Sequence, residues 1–162
     1  MEMSSLTLPE KIKKRLEEES KKLGVSNEEL LLEALSMLFK EPIDPESKVE
    51  IHSFLSEKYM KEAEEFLNKG DYAQASEKAW GAASQMVKAI ASKRGKELRS
   101  HRELHEFVAN LRKETNDFEL STLWSSATSL HQNFYENWLP KETVKDWIEN
   151  VRRFIEKLKI LL

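Results

Sequence analysis

Through most of this chain, apolar residues recur every three or four positions, the period of an amphipathic helix. The last segment shows it most plainly, where Val144, Ile148, Val151, Ile155, Leu158 and Leu162 step by four and three. The same pattern predicts helices over 9–22, 27–39, 46–68, 71–93, 101–113, 117–138 and 141–161. The 71–93 segment carries small side chains (Ala73, Ala75, Ala79, Gly81, Ala82, Ala83, Ala89 and Ala91) where the others carry large ones. Small residues let neighbouring helices approach closely, so this helix is expected at the centre, with Trp80, Val87 and Ile90 filling the gaps around it. Only "SSLTL" near the start alternates with period two and reads as a short strand. The fold class is all-α: an antiparallel helical bundle over 46–162, joined by short connections and preceded by a helical hairpin over 1–41.

The ends of these segments carry the expected signals. Gly24, Gly70 and Gly95 each follow an amphipathic run, and Pro42 and Pro45 bracket the linker "KEPIDPES". "SNEE" pairs Ser26 with Glu29 and "SHRE" pairs Ser100 with Glu103, the spacing of a capping box, in which each side chain satisfies the other residue's free backbone N–H. Asp71 and Gln74 in "DYAQ" repeat it, and Thr7 in "TLPE" is placed as a cap with Pro9 in the first turn.

The first quarter of the chain, "SSLTLPEKIKKRLEEESKKLGVSNEELLLEALSMLF", resembles the ribbon-helix-helix family of dimeric DNA-binding domains. The resemblance implies that strands of two chains pair into a ribbon that enters the major groove. The outward residues of that strand are Ser5 and Thr7, with Met3 nearby. None is the Arg, Lys, Asn or Gln that reads base edges. Glu28 and Glu29 stand where the second helix would meet phosphate. The hairpin therefore reads as a dimerising or packing element, and its stripe of Leu30, Ala34, Leu35 and Leu38 has to be covered.

Further on, "GDYAQASEKAWGAA", "LRSHREL" and "LHQNFYE" closely resemble the archaeal PaREP family, which is placed within the broader HEPN class of helical domains. The resemblance implies a HEPN-like bundle. Many HEPN domains dimerise. Many are metal-independent RNases of toxin–antitoxin and defence systems, and others bind nucleotides or have lost activity. Catalytic members carry an Arg, then four to six intervening residues, then a His, late in the bundle. His131 stands near that place, but no Arg occurs between Arg112 and Arg152. Arg94 and His101 have the spacing but lie between the fourth and fifth predicted helices. The usual catalytic motif is thus missing from the expected helix.

Charge narrows the picture. Charged residues make up 34% of the chain, yet the net charge is −3, so the molecule as a whole is no electrostatic binder of nucleic acid. Cysteine is absent, which excludes disulfides, thiolate catalysis and cysteine-based zinc sites. No apolar run approaches the length of a membrane span, and the first apolar residues are interrupted by Ser, Thr and Pro, so the chain reads as a soluble cytoplasmic protein.

Chemistry concentrates in two places. In "SHRELHEFV", His101 and His105 share a helix face, but Arg102 replaces the Glu that a zinc hydrolase places after its first His, so no metal and no cofactor is expected. This stretch reads first as a capped helix start, with His101 and His105 at a partly exposed edge. Upstream, Lys88, Lys93, Arg94, Lys96, Arg99 and Arg102 face Glu97 alone. Beside a helix N-terminus such cations can hold phosphate, giving Arg94, Lys96, Arg99, His101 and Arg102 as candidate anion-binding residues; a solvated charged loop is the plainer reading. In "LHQNFYENW", His131 and Tyr135 share a face and either line a cleft or make a buried His–Tyr hydrogen bond. The function expected from these residues is a non-catalytic module, a homodimer, that binds nucleic acid or nucleotide through the basic segment. The alternative is a metal-independent RNase that uses Arg94 and His101, or His131, for proton transfer. A third reading is a partner protein of a toxin–antitoxin pair.

Overall fold

The computed structural model describes residues 3–162, in which the predicted periodicity becomes seven helices and no strand. They are α1 (Glu10–Leu23), α2 (Asn27–Phe39), α3 (Pro45–Asn68), α4 (Tyr72–Lys93), α5 (His101–Thr115), α6 (Glu119–Glu136) and α7 (Lys141–Lys159). The chain divides into two compact units, Met1–Ser47 and Lys48–Leu162.

Two expectations near the start are corrected. "SSLTL" has no regular structure, since a lone extended segment with no strand beside it leaves its backbone groups to water. Thr7 is not the cap of α1. Pro9 occupies that position without a side-chain cap, and its carbonyl accepts from the N–H groups of Ile12 and Lys13. The other three capping residues stand where the sequence places them. Ser26 accepts from the N–H of Glu29, and Asp71 from that of Gln74, while Ser100 and Glu103 complete both halves of a capping box.

In the first unit α1 and α2 pack against each other, but Ser20 is the only buried residue on either helix. Met37, Leu38 and Phe39 at the end of α2 are exposed.

In the second unit α4 is central. It packs against α5, α6 and α7, and Ala75, Ala79, Ala82, Ala83, Val87, Ala89, Ile90 and Ala91 are fully buried. Its neighbours supply the bulk, with Leu130 from α6 and Ile148, Phe154 and Leu158 from α7. Helix α3 runs antiparallel along α4, bonded from the Ser56 hydroxyl to the Ala82 carbonyl and from His52 to Gln85. Gly81 lets the two helices meet, because a Cβ there would stand 3.1 Å from Cδ2 of Tyr59. Helices α4 and α6 are also antiparallel, and a buried hydrogen bond from Asn133 to the Ser76 hydroxyl ties them. These pairings align one seam of α4 with the N-terminal half of α5 and the middle of α6.

Candidate functional site

Three of the four histidines converge on that seam, although they come from two helices. The floor shared by His101 and His131 is Trp80 of α4, only 7% exposed. His131 of α6 stacks on the Trp80 ring, with centroids 4.8 Å apart and planes 23° from parallel. His101, the first residue of α5, meets Trp80 edge-on at 5.4 Å and His131 edge-on at 5.2 Å. His105, one turn further along α5, accepts at Nδ1 from the indole N–H of Trp124, 2.9 Å away. Trp124 in turn lies against Trp80, with centroids 5.2 Å apart.

The local sequence explains this assembly. His101 and His105 are one turn apart on α5, and Trp124 and His131 are two turns apart on α6, so each pair shares a helix face. Glu77 and Trp80 lie three apart on α4 and complete it. The capping box fixes where α5 begins and so places His101. The buried Asn133 fixes the other end of the seam: its amide donates to Ser76, and its carbonyl oxygen accepts from the N–H groups of Trp138 and Leu139, each at 3.0 Å.

The carboxylate of Glu77 is 2.8 Å from Nδ1 of His131. This replaces the His131–Tyr135 hydrogen bond expected from sequence. Tyr135 does share the face of His131, with ring centroids 5.5 Å apart, but its side chain points to solvent and is 70% exposed. A carboxylate on Nδ1 fixes the orientation of the imidazole and leaves Nε2 as the nitrogen available for proton transfer. His101 lies next to this pair. Partial burial holds its pKa below the usual histidine value, helped by the like-charge influence of His131, His105 and Lys88 and opposed by Glu77. His101 is therefore neutral at neutral pH, with a lone pair free to take a proton.

The basic segment looks different in the fold. Arg94 pairs with Glu114 at 2.9 Å, Arg99 with Glu97 at 3.0 Å, and Arg102 with Glu106 at 2.8 Å. Lys96 and Arg94 lie over the ring of Phe107. Three N–H groups where the chain enters α5 are met from within the chain: the Glu103 carboxylate accepts from Arg99 and Ser100, and the Ser100 hydroxyl accepts from Glu103. Against the sequence expectation of one opposing Glu, each arginine here has its own carboxylate, because Glu106 and Glu114 come from turns of α5 that the linear count left out. His101 is the member of this group that joins the histidine seam.

Glu77 and Trp124 do not stand out in the sequence as site residues, and Trp80 reads there only as core. One signal was available: a carboxylate three residues before a tryptophan on an otherwise alanine-rich central helix. Among the described residues, no group of three or more His, Asp or Glu side chains is arranged to share a metal ion, and no helix is long and apolar enough to cross a membrane.

Fold and seam together define an all-helical bundle with a histidine–aromatic cluster built on α4, α5 and α6. Residues 51–155 match the model of the archaeal PaREP1/PaREP8 family, and the chain belongs to that family. Solved structures similar to it include the crystal structure of a protein from Sulfolobus solfataricus, 32% identical, with a TM-score of 0.58 over 66% of this chain and 95% of the other. No curated protein matches the chain.

Proposed function

We propose that the bundle is a HEPN-like, metal-independent RNase whose proton-transfer groups are His101 and His131. The observation that carries this reading is the edge-on contact of the two imidazoles at 5.2 Å, with His131 oriented by Glu77. Two adjacent imidazoles supply a base and an acid, and RNA brings its own nucleophile. Neutral His101 takes the proton of the 2′-hydroxyl as that oxygen attacks phosphorus. The bond from phosphorus to the 5′-oxygen breaks, and His131 in its protonated form delivers a proton to the leaving oxygen. The products are a 2′,3′-cyclic phosphate and a 5′-hydroxyl. Lys88, which acts on His101 from α4, supplies positive charge near the reacting phosphate.

The test is incubation of the full chain with end-labelled single-stranded RNA. Cleavage to a cyclic phosphate is expected, with a drop of about 100-fold in rate for His101→Ala, for His131→Ala and, more mildly, for Glu77→Gln. A strand carrying one deoxyribose is expected to resist cleavage at that position alone. Equal cutting by wild type and all three variants, or none by any of them, defeats the proposal.

A second reading keeps the basic segment as a non-catalytic phosphate-binding corner for nucleic acid or nucleotide, through Arg94, Lys96, Arg99 and Arg102. What favours it is that the ion pairs of Arg99 and Arg102 are solvent-exposed, so a phosphate can replace each carboxylate at small cost. Steeply salt-dependent binding without cutting is its signature. In either reading, the exposed apolar end of α2 supports assembly of the chain as a homodimer through the N-terminal hairpin.

A further inference from the structure

We infer that Tyr135 and Trp138 form a base-stacking subsite for single-stranded RNA next to the histidine pair, an inference that rests on the RNase reading above. Both rings are large and open to solvent, 70% and 62% exposed, at the end of α6. The Tyr135 ring is held by its neighbours, and Trp138 is fixed through its backbone. Tyr135 stands edge-on to His131 at 5.5 Å and to Phe134 at 5.0 Å. The chain turns between Tyr135 and Trp138 through Asn137, which adopts the left-handed conformation, and the carbonyl oxygen of buried Asn133 receives the backbone N–H of Trp138. An exposed aromatic on a fixed backbone loses little entropy when a base stacks on it, and base–aromatic stacking tolerates any sequence.

The neighbourhood suits a strand more than another apolar surface. Asn137 also lines a groove of about 400 Å³ with Lys69, Gly70, Asp71, Tyr72 and Ala73 at the turn into α4. This groove places the cation of Lys69 and the ring of Tyr72 beside the turn that carries Trp138, and the Asp71 carboxylate in it is engaged by the N–H of Gln74. A strand whose phosphate lies at His101 and His131 has its next base within reach of Tyr135, and its following nucleotides lead toward Trp138 and the groove.

The experiment uses the full chain and a 2′-O-methyl oligouridine, which cannot be cleaved because the nucleophile is blocked. Anisotropy of the labelled strand reports affinity, and quenching of tryptophan fluorescence reports stacking. Tyr135→Ala and Trp138→Ala are each expected to weaken binding about tenfold, with Tyr135→Phe close to wild type and the Trp138 variant losing most of the quench. His131→Ala, which removes both the proton donor and one support of Tyr135, is expected to weaken binding as well as to fail to cut unmodified RNA. Binding lost in the aromatic variants, with no cleavage by wild type, keeps the stacking subsite and removes the RNase reading. Cleavage by wild type, with affinity unchanged in both aromatic variants, does the reverse. Absence of binding by wild type overturns the subsite. So does a fall in the molecular mass of either aromatic variant in sedimentation, which would assign these rings to an interface between copies of the chain.

Discussion

At the scale of single residues, Asn133 is the side chain whose loss should be felt most beyond the apolar core. It is fully buried and serves three partners, Ser76, Trp138 and Leu139. Asn133→Ala removes all three bonds at once and leaves two backbone N–H groups short of an acceptor. A destabilisation of about 2–4 kcal/mol is expected from urea unfolding. His101 makes a different prediction. Its folded pKa lies below the ordinary value of 6.5, so between those two values the unfolded chain binds more protons than the folded one. Stability then rises with pH through that window and is lost as pH falls below about 6.5. The difference in unfolding free energy between wild type and His101→Gln, measured from pH 7.5 down to 5, is expected to shift against wild type as the pH drops. A flat difference would show that the fold leaves His101 unperturbed. At this scale the sequence was informative about identity but not about company. His101, His131 and Tyr135 stand out by residue type, whereas Glu77 is 54 positions from the imidazole it orients. Only the antiparallel register of α4 and α6 makes them neighbours, and periodicity carries no information about register.

At the scale of elements the reverse holds, because helix boundaries depend on local signals. The capping residues Ser26, Asp71 and Ser100 all stand where the sequence places them, and α2 spans the predicted 27–39. The misplaced start of α1 comes from the same physics: proline fixes a backbone suited to a helix entry, and Pro9 takes the cap position that Thr7 was expected to fill. Gly81 shows how a local anomaly is resolved by a neighbouring element. A glycine inside a helix lowers helix stability by about 1 kcal/mol relative to alanine, and here its bare face receives Tyr59 of α3. Gly81→Ala sets that propensity gain against a Cβ 3.1 Å from the ring, so little net change is expected. Gly81→Leu has no such balance. Its side chain must push Tyr59 aside and part α3 from α4, and a loss of about 1–3 kcal/mol is expected in thermal or urea unfolding. If Gly81→Leu proves as stable as wild type, the α3–α4 contact is looser than this packing implies.

At the scale of the whole molecule, the two units differ in whether they can hold themselves together. Residues 48–162 surround α4 with aliphatic and aromatic side chains, and a core of that size is what a domain of this length needs. The hairpin has nothing comparable: two helices of 14 and 13 residues, one buried serine, and an apolar end at Met37, Leu38 and Phe39 that faces water. Isolated helices this short are marginal in water, and the pair hides too little apolar surface to offset the entropy of ordering it. Something has to cover α2, and a second copy of the same stripe is self-complementary, as two-fold interfaces require. The full chain is therefore expected to run as a dimer of 2 × 18.9 kDa in light scattering coupled to size exclusion. Leu38→Glu places a charge in the middle of the exposed stripe, on a residue that contributes nothing to the core of the bundle. It is expected to shift the mass toward that of a single chain while far-ultraviolet circular dichroism keeps the strongly helical signal of the bundle. A wild-type chain that is monomeric at tens of micromolar would remove the hairpin as a dimerisation element, and an unchanged dimer in Leu38→Glu would move the contact to another surface. The same preparation separates assembly from chemistry. The histidine seam is built from α4, α5 and α6 of one chain, so a monomeric Leu38→Glu protein is expected to retain whatever cleavage wild type shows.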